Sequence, residues 1–307
     1  MTKLLTLLQE ADEIGYRCAF ACQQQGYIWH GKNKTVDLKS KFTKTEIKEH
    51  FKKKGLELEN DYTLESYQII EEEYIVKYTL DRMIEKLYDL EINKVGKVGT
   101  VNLWLSPGDG SNFRFGVANL PGSKGQGYKA GRPTKPHYLS FIRERLVDKW
   151  GAQEIFGYEA DDALGIYQTD DTIASHIDKD INMIPGHHYN HVTGEYYYVP
   201  EGLGSLTYDN GKLIGRGTIF FYAQLITGDA TDNIPGIPKM GPKKAYDVLS
   251  QLKKESDCYE QVYNLYVDYY GVENATQAIS EIADLLWIIR ADRLTGRQYL
   301  SSKGFLI

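Results

Sequence analysis

Residues 4–8 form a short apolar run that reads as a buried strand, and residues 12–25 follow it as a helix. Residues 26–61 are Lys-rich and poor in apolar side chains, so they read as an exposed insertion. In residues 63–90, Ile69, Ile70, Ile75, Val76, Leu80, Met83, Ile84 and Leu87 recur at helical spacing and predict one long helix. A second strand is expected over residues 99–105, then a Gly/Pro-rich loop over residues 106–137 carrying Arg114, Lys124, Lys129, Arg132 and Lys135. A long loop within a domain is more often functional than accidental. The pattern then predicts a helix at 136–149, a strand at 154–156, a helix at 159–168, a strand at 172–177 and a hairpin at 189–199 turning at Thr193-Gly194. Helices dominate the last third. This alternation predicts an α/β fold, with a mainly parallel sheet flanked by helices and a helical C-terminal region. The expected division is an α/β core over residues 1–225, holding the insertion and the loop, and a helical region over residues 226–307.

Composition changes this picture in two places. The chain has 307 residues, 25% of them charged and 42% hydrophobic, as expected of a globular protein. It has no apolar run long enough to span a bilayer, and a cytoplasmic protein without a membrane partner is expected. Three cysteines, Cys18, Cys22 and Cys258, suggest a reducing compartment rather than a disulfide framework, with Cys18 and Cys22 in core packing. The net charge is −6, yet residues 30–55 hold nine lysines against Asp37, Glu46 and Glu49, a local balance of +6. Charge is therefore segregated along the chain, which keeps a nucleic-acid partner open.

The acidic residues fall where chemistry is expected. In an open parallel sheet, sites form at the carboxyl ends of the strands. Glu10 and Asp12 follow the first predicted strand, and Asp109 the second. Glu159, Asp161 and Asp162 follow the third, and Asp178 and Asp180 the fourth. Asp229 and Asp232 lie three apart further on. So many carboxylates in one pocket cannot all ionise unaided. An all-oxygen donor set points to Mg²⁺, with Mn²⁺ able to substitute, rather than zinc. Two such ions suit phosphodiester hydrolysis. Any one of these pairs alone would read as a helix cap or a solvated face. His187, His188 and His191 could suggest zinc, but a solvated turn is the preferred reading.

Over residues 226–250, Gly236 and Gly241 flank a short turn, and Pro242-Lys243-Lys244 opens the next helix. A free helix N-terminus with Lys243 and Lys244 suits a backbone phosphate, in the manner of a helix-hairpin-helix.

Tyr158-Glu159-Ala160-Asp161-Asp162, then Asp178-Lys179-Asp180, then Gly228-Asp229-Ala230-Thr231-Asp232-Asn233-Ile234-Pro235-Gly236-Ile237, in this order, resemble the flap endonuclease superfamily, most closely the phage 5′–3′ exonucleases. The likeness covers residues 4–249, the insertion aside. It implies a PIN-like nuclease core, DNA as partner (a duplex with a 5′ end or flap, or an RNA–DNA hybrid), a monomer, and no small-molecule cofactor. Glu10, Asp109, Glu159 and Asp161 would surround one Mg²⁺. Asp178, Asp180, Asp229 and Asp232 would hold a second, with Asp162 in support, and K⁺ would sit at the helix-hairpin-helix. Lys129 and Arg132 would act on the scissile phosphate at the base of an arch, and Arg114 on an adjacent phosphate. Tyr16 would stack on a terminal base, with ordinary helix packing as its other reading. Position 10 departs from the family, which has aspartate there; Asp12 could compensate. The glycine-rich segment 116–136 is expected to be mobile without DNA. Two rivals stand beside the exonuclease reading: a structure-specific flap endonuclease or RNase H-like primer-removing enzyme, and a non-catalytic DNA-binding homologue.

Overall fold

The computed structural model describes residues 4–92, 96–117 and 127–306. The opening run becomes β1 (Leu4–Glu10), followed by α1 (Ala11–Ala21), β2 (Gln23–Gly31), β3 (Lys34–Lys39), α2 (Lys44–Lys52), β4 (Tyr62–Ile70), α3 (Glu73–Tyr88), β5 (Glu91–Ile92) and β6 (Gly96–Leu105). After a loop come α4 (Leu139–Trp150), β7 (Gln153–Glu154), α5 (Ala160–Tyr167), β8 (Thr172–Ser175) and the hairpin β9 (Gly186–Asn190) and β10 (Glu195–Val199). A second hairpin, β11 (Ser205–Asp209) and β12 (Lys212–Arg216), precedes α6 (Thr218–Thr227). The two-residue strands β13 (Gly228–Asp229) and β14 (Ile234–Pro235) lead to α7 (Pro242–Leu249), α8 (Glu255–Tyr270), α9 (Val272–Leu286) and α10 (Gly296–Ser302). No helix among the described residues is long and apolar enough to cross a membrane.

The chain folds as two compact units. The first takes in residues up to Asp12, Lys86–Thr134 and everything from Val147 onward. Its sheet runs β10-β9-β8-β1-β6-β5, with β7 also on β6. The pairs β8/β1, β1/β6, β6/β7 and β8/β9 are parallel, and the edges β9/β10 and β5/β6 are antiparallel. Strands covered on both faces read as continuous apolar runs, and Leu5, Leu7 and Leu8 of β1 are all at most 2% exposed. Because β6 flanks β1 on one side and β8 on the other, strand order reverses at β1, and open α/β sheets place their sites at the carboxyl ends of the strands at such a point.

The C-terminal part of this unit is built around α6, whose residues Thr218–Ile226 are all buried. A helix apolar all round must be covered on every side. Phe221 meets Trp287 edge-on at 4.9 Å, and Trp287 stacks on Tyr299 at 3.9 Å. The hairpin β11/β12 was not foreseen among the helices. Its signal is Asn210-Gly211, both in the left-handed region (φ 48° and 81°) that a tight hairpin turn requires.

The second unit comprises Glu13–Glu85 and Lys135–Leu146. Residues 26–61 are exposed as expected, but they are not irregular: β2 pairs antiparallel with both β3 and β4. The predicted helix over 63–90 is corrected here, since its first part is the strand β4 and the helix begins only at Glu73. Tyr-Thr-Leu-Glu-Ser-Tyr-Gln-Ile-Ile is rich in β-branched and aromatic residues, and its pair Ile69-Ile70 fits the helical spacing of α3 only by coincidence. Trp29, Phe51 and Tyr62 form a small aromatic core. Cys18 and Cys22 are buried free thiols.

Within the first unit, Arg114 is 1% exposed and pairs bidentately with the fully buried Asp162 at 2.6 and 2.8 Å. The same guanidinium donates to the carbonyls of Leu285 and Trp287, and Asp162 also accepts from the amides of Ile289 and Glu159. Removing one partner of a buried pair strands the other's charge, so Asp162→Ala is expected to destabilise the protein by about 3–5 kcal/mol in chemical denaturation. A loss below about 1 kcal/mol, as for a surface pair, would contradict this account of the pair.

Candidate functional site

The carboxyl ends of three strands are stitched together by polar side chains. Gln9, buried at the end of β1, accepts from the Ser175 hydroxyl at the end of β8 (2.6 Å). Asp12 accepts the Ser106 amide just beyond β6 (2.7 Å), and the Ser106 hydroxyl accepts the Ala160 amide at the start of α5 (3.0 Å). Glu10 lies opposite Trp104 in the β1/β6 register, as the last residue of β1.

Glu159 is the N-cap of α5 and is 8% exposed. It receives the Lys129 ammonium and the Tyr128 hydroxyl (2.9 Å), with Arg114 at 3.6 Å. Burial alone would raise its pKa, but Arg114, Lys129 and Tyr128 outweigh it and hold Glu159 below the ordinary range. Two residues on, Asp161 has a buried Oδ1 with no hydrogen-bond partner. Burial, then repulsion from Asp178 and Glu159, pushes its carboxyl well above the ordinary range.

The other carboxylates gather around Lys179 and Arg132. Lys179 donates to Asp229 (2.8 Å) and Asp180 (3.0 Å), and Gln224 donates to the same Asp180 oxygen (2.6 Å). Arg132 pairs with Asp232, which also receives the Tyr128 hydroxyl at 3.2 Å. Withdrawal from water and the charge of Asp178 push Asp180 up to about 7 despite Lys179. Asp178 is raised by the same withdrawal, then by Asp229 and Asp232. Burial would raise Asp229 too, but its Lys179 partner wins and lowers it.

The loop carrying Lys129 is held by its backbone. The Lys129 amide donates to the Asp232 carbonyl (2.9 Å), and Asn233 donates to the Gly127 carbonyl (3.1 Å). Lys124, with residues 118–126 of the segment expected to be mobile, lies outside the described residues. Tyr128 and Lys179 were missed as site residues, although each adjoins a residue already singled out. The one proton of Tyr128 bridges Glu159 and Asp232, and Lys179 bridges Asp180 and Asp229.

Several candidates take other places. Arg114 does not offer itself to a phosphate, because its guanidinium is buried and fully engaged. Asp162 has two hydrogen bonds on each oxygen and cannot also bind a metal without breaking the Arg114 pair. Asp109 sits on the exposed loop after β6, and its pKa is lowered by Ser111 rather than moved by the other carboxylates. Tyr16 belongs to α1 in the second unit, stacked on the exposed Phe20 at 6.3 Å. His187 and His188 lie on β9, not in a solvated turn. His188 is fully buried against His176 (2.9 Å), and burial lowers their pKa values to about 4 and about 3 respectively. Helices α6 and α7 are joined through the short β13/β14 ladder. Gly236 serves close packing there, since a Cβ would lie 2.2 Å from the Thr227 carbonyl carbon. Gly241 caps α7, and Lys243 pairs with Asp247 while Lys244 is exposed.

Among the described residues, no three His, Cys, Asp or Glu side chains are poised to hold a metal ion as they stand. Lys129, Arg132 and Lys179 lie on the carboxylates instead. The donor set nevertheless suits a hard divalent cation: it is all oxygen, one buried oxygen is unpartnered, and Asp161, Asp178 and Asp180 resist ionisation together.

No family model matches the chain. Its sequence is similar to a DNA polymerase I of Rhizobium leguminosarum, 31% identical over 139 residues, spanning 40% of this chain and only 13% of the polymerase. Among solved structures it is similar to a bacteriophage T5 protein co-crystallised with metal ions (18% identity, TM-score 0.38, 62% of this chain and 82% of that one). It is also similar to a bacteriophage T5 flap endonuclease with DNA and metal ions (16%, 0.34, 62% and 80%) and to a variant of the T5 5′-exonuclease (16%, 0.35, 69% and 86%).

A raised carboxylate pKa contributes stability at low pH that is lost as pH rises through the folded value. Without divalent ions, the melting temperature is therefore expected to fall as pH rises from about 5 to about 8, as Asp180 ionises beside Asp178. Asp180→Asn should flatten that fall in differential scanning calorimetry. An equally steep fall in the variant would show that Asp180 is not its source.

Proposed function

We propose that the chain is a nuclease that hydrolyses DNA phosphodiester bonds from a 5′ end, using divalent cations held by the carboxylates at the strand ends. The observation that carries this reading is the buried, unpartnered Oδ1 of Asp161, set where Asp178 and Glu159 already oppose its charge. Buried polar atoms are seldom left without a partner, and a hard cation would supply one. Glu159, Asp161, Asp178, Asp180, Asp229 and Asp232 would hold the ions, with Glu10 and Asp109 offering oxygens from neighbouring strand ends. When bound, such cations lower the pKa of water and offset charge on phosphoryl oxygens. The likeness to a DNA polymerase supports DNA as the polymer.

The chain's own basic groups have a second task. Lys129 and Arg132 now neutralise Glu159 and Asp232. With cations bound there, Lys129 and Arg132 would be free to turn toward a phosphate, where the Arg132 fork could hold two oxygens at once. Tyr128 orients Glu159 and Asp232 through its hydroxyl, and Lys179 keeps Asp180 and Asp229 together in the absence of a cation.

The test is cleavage of 5′-labelled duplex and 5′-flap DNA with Mg²⁺. The parent should release short 5′ products, and an Asp229→Asn, Asp232→Asn double variant should be at least about a hundredfold slower while still binding DNA. Release of an intact flap in one step would assign the chain to flap cutting. Absence of cleavage under both Mg²⁺ and Mn²⁺, with binding intact, would overturn the enzymatic reading.

A further inference from the structure

The lysines of residues 30–55 take no part in the carboxylate site, yet the fold of the second unit arranges them. Among the described residues, none of these nine ammonium groups lies in a salt bridge, whereas Lys77, Lys129, Lys179 and Lys243 each do. Two of the three carboxylates in this stretch are engaged by the chain itself. Asp37 accepts from the Tyr67 hydroxyl and the Lys39 amide, and Glu46 closes a capping box with Thr43.

Helix α2 sorts its side chains by chemistry. At 100° per residue, Lys44, Lys48 and Lys52 fall within an arc of about 80°, Glu46 and Glu49 occupy a separate arc, and Ile47 and Phe51 face the aromatic core. Lysines near the end of the helix suit its dipole, which accounts for Lys52, Lys53 and Lys54. The same dipole disfavours Lys44 at the first helical position, so the helix's own electrostatics do not explain the row. Successive lysines of the row are one helical turn apart, and Lys41 precedes it. Phe42, beside Lys41, is 51% exposed, a large aromatic face left in water among cations.

We infer that α2 and the segment before it bind single-stranded DNA, with phosphates along Lys44, Lys48 and Lys52 and an unpaired base on Phe42. A duplex would meet the lysines equally well but has no free base face for Phe42. Stacking of an unpaired base is what distinguishes the two partners. The choice of DNA rests on the nuclease reading; the binding itself does not.

The experiment is fluorescence anisotropy with a labelled oligo-dT strand and a blunt hairpin duplex, in EDTA, over a range of salt. For a Lys44→Gln, Lys48→Gln, Lys52→Gln variant that melts as the parent does, affinity for the strand should fall at least about tenfold. The slope of log affinity against log salt should become shallower by about 2, since each lost phosphate contact contributes about 0.7 on a single strand. Phe42→Ala should weaken strand binding with the slope unchanged. Parental affinity and slope in the triple variant would overturn the proposal, and an equal loss on the blunt duplex would overturn the assignment to single strands. Because no metal is present, failure of the catalytic reading would leave these readouts intact.

Discussion

The buried pair of Arg114 and Asp162 fixes the ground on which the site is built. Asp162 sits in the first turn of α5 and takes its second pair of hydrogen bonds from the backbone, at Glu159 and Ile289. Arg114 reaches in from the loop after β6 and grips the carboxyl end of α9 at Leu285 and Trp287. Three distant stretches of sequence thereby meet at one helix end. Glu159 and Asp161, in the same first turn of α5, are positioned by this anchor. A buried ion pair is a poor source of net stability, but its donors and acceptors can be satisfied in only one arrangement. Here that arrangement sets where the acidic side chains stand.

Given that anchor, the electrostatics of the site follow from crowding. Like charges gathered away from water oppose one another's ionisation. The chain eases this in two ways: by internal cations, with Lys129 on Glu159, Arg132 on Asp232 and Lys179 on Asp229 and Asp180, and by retained protons, as in Asp180. On the proposed reading a divalent ion would displace both devices and leave the same side chains available to a phosphate.

Much of this was legible in the sequence because strand ends and carboxylates coincide along the chain. The parallel sheet, the 189–199 hairpin and the clusters at Glu159, Asp178 and Asp229 follow from periodicity and turn residues. What was not legible depends on contacts remote in sequence. Nothing in Asn112-Phe113-Arg114 signals that the guanidinium turns inward, because its partner lies 48 residues away. Residues 63–70 read as helix because their spacing continues into α3; pairing with β2 makes them a strand. His188 was read as a turn residue and lies instead in the core, hydrogen-bonded to His176 and the Ile184 carbonyl.

The central claim is that the crowded carboxylates are completed by divalent cations. Calorimetric titration of the protein with Mg²⁺ at about pH 7, in two buffers of different ionisation enthalpy, tests it most directly, because the difference in heat counts released protons. The account predicts binding accompanied by proton release, reduced in an Asp161→Asn, Asp180→Asn variant. Absence of binding, or binding with no protons released by the parent, would contradict it.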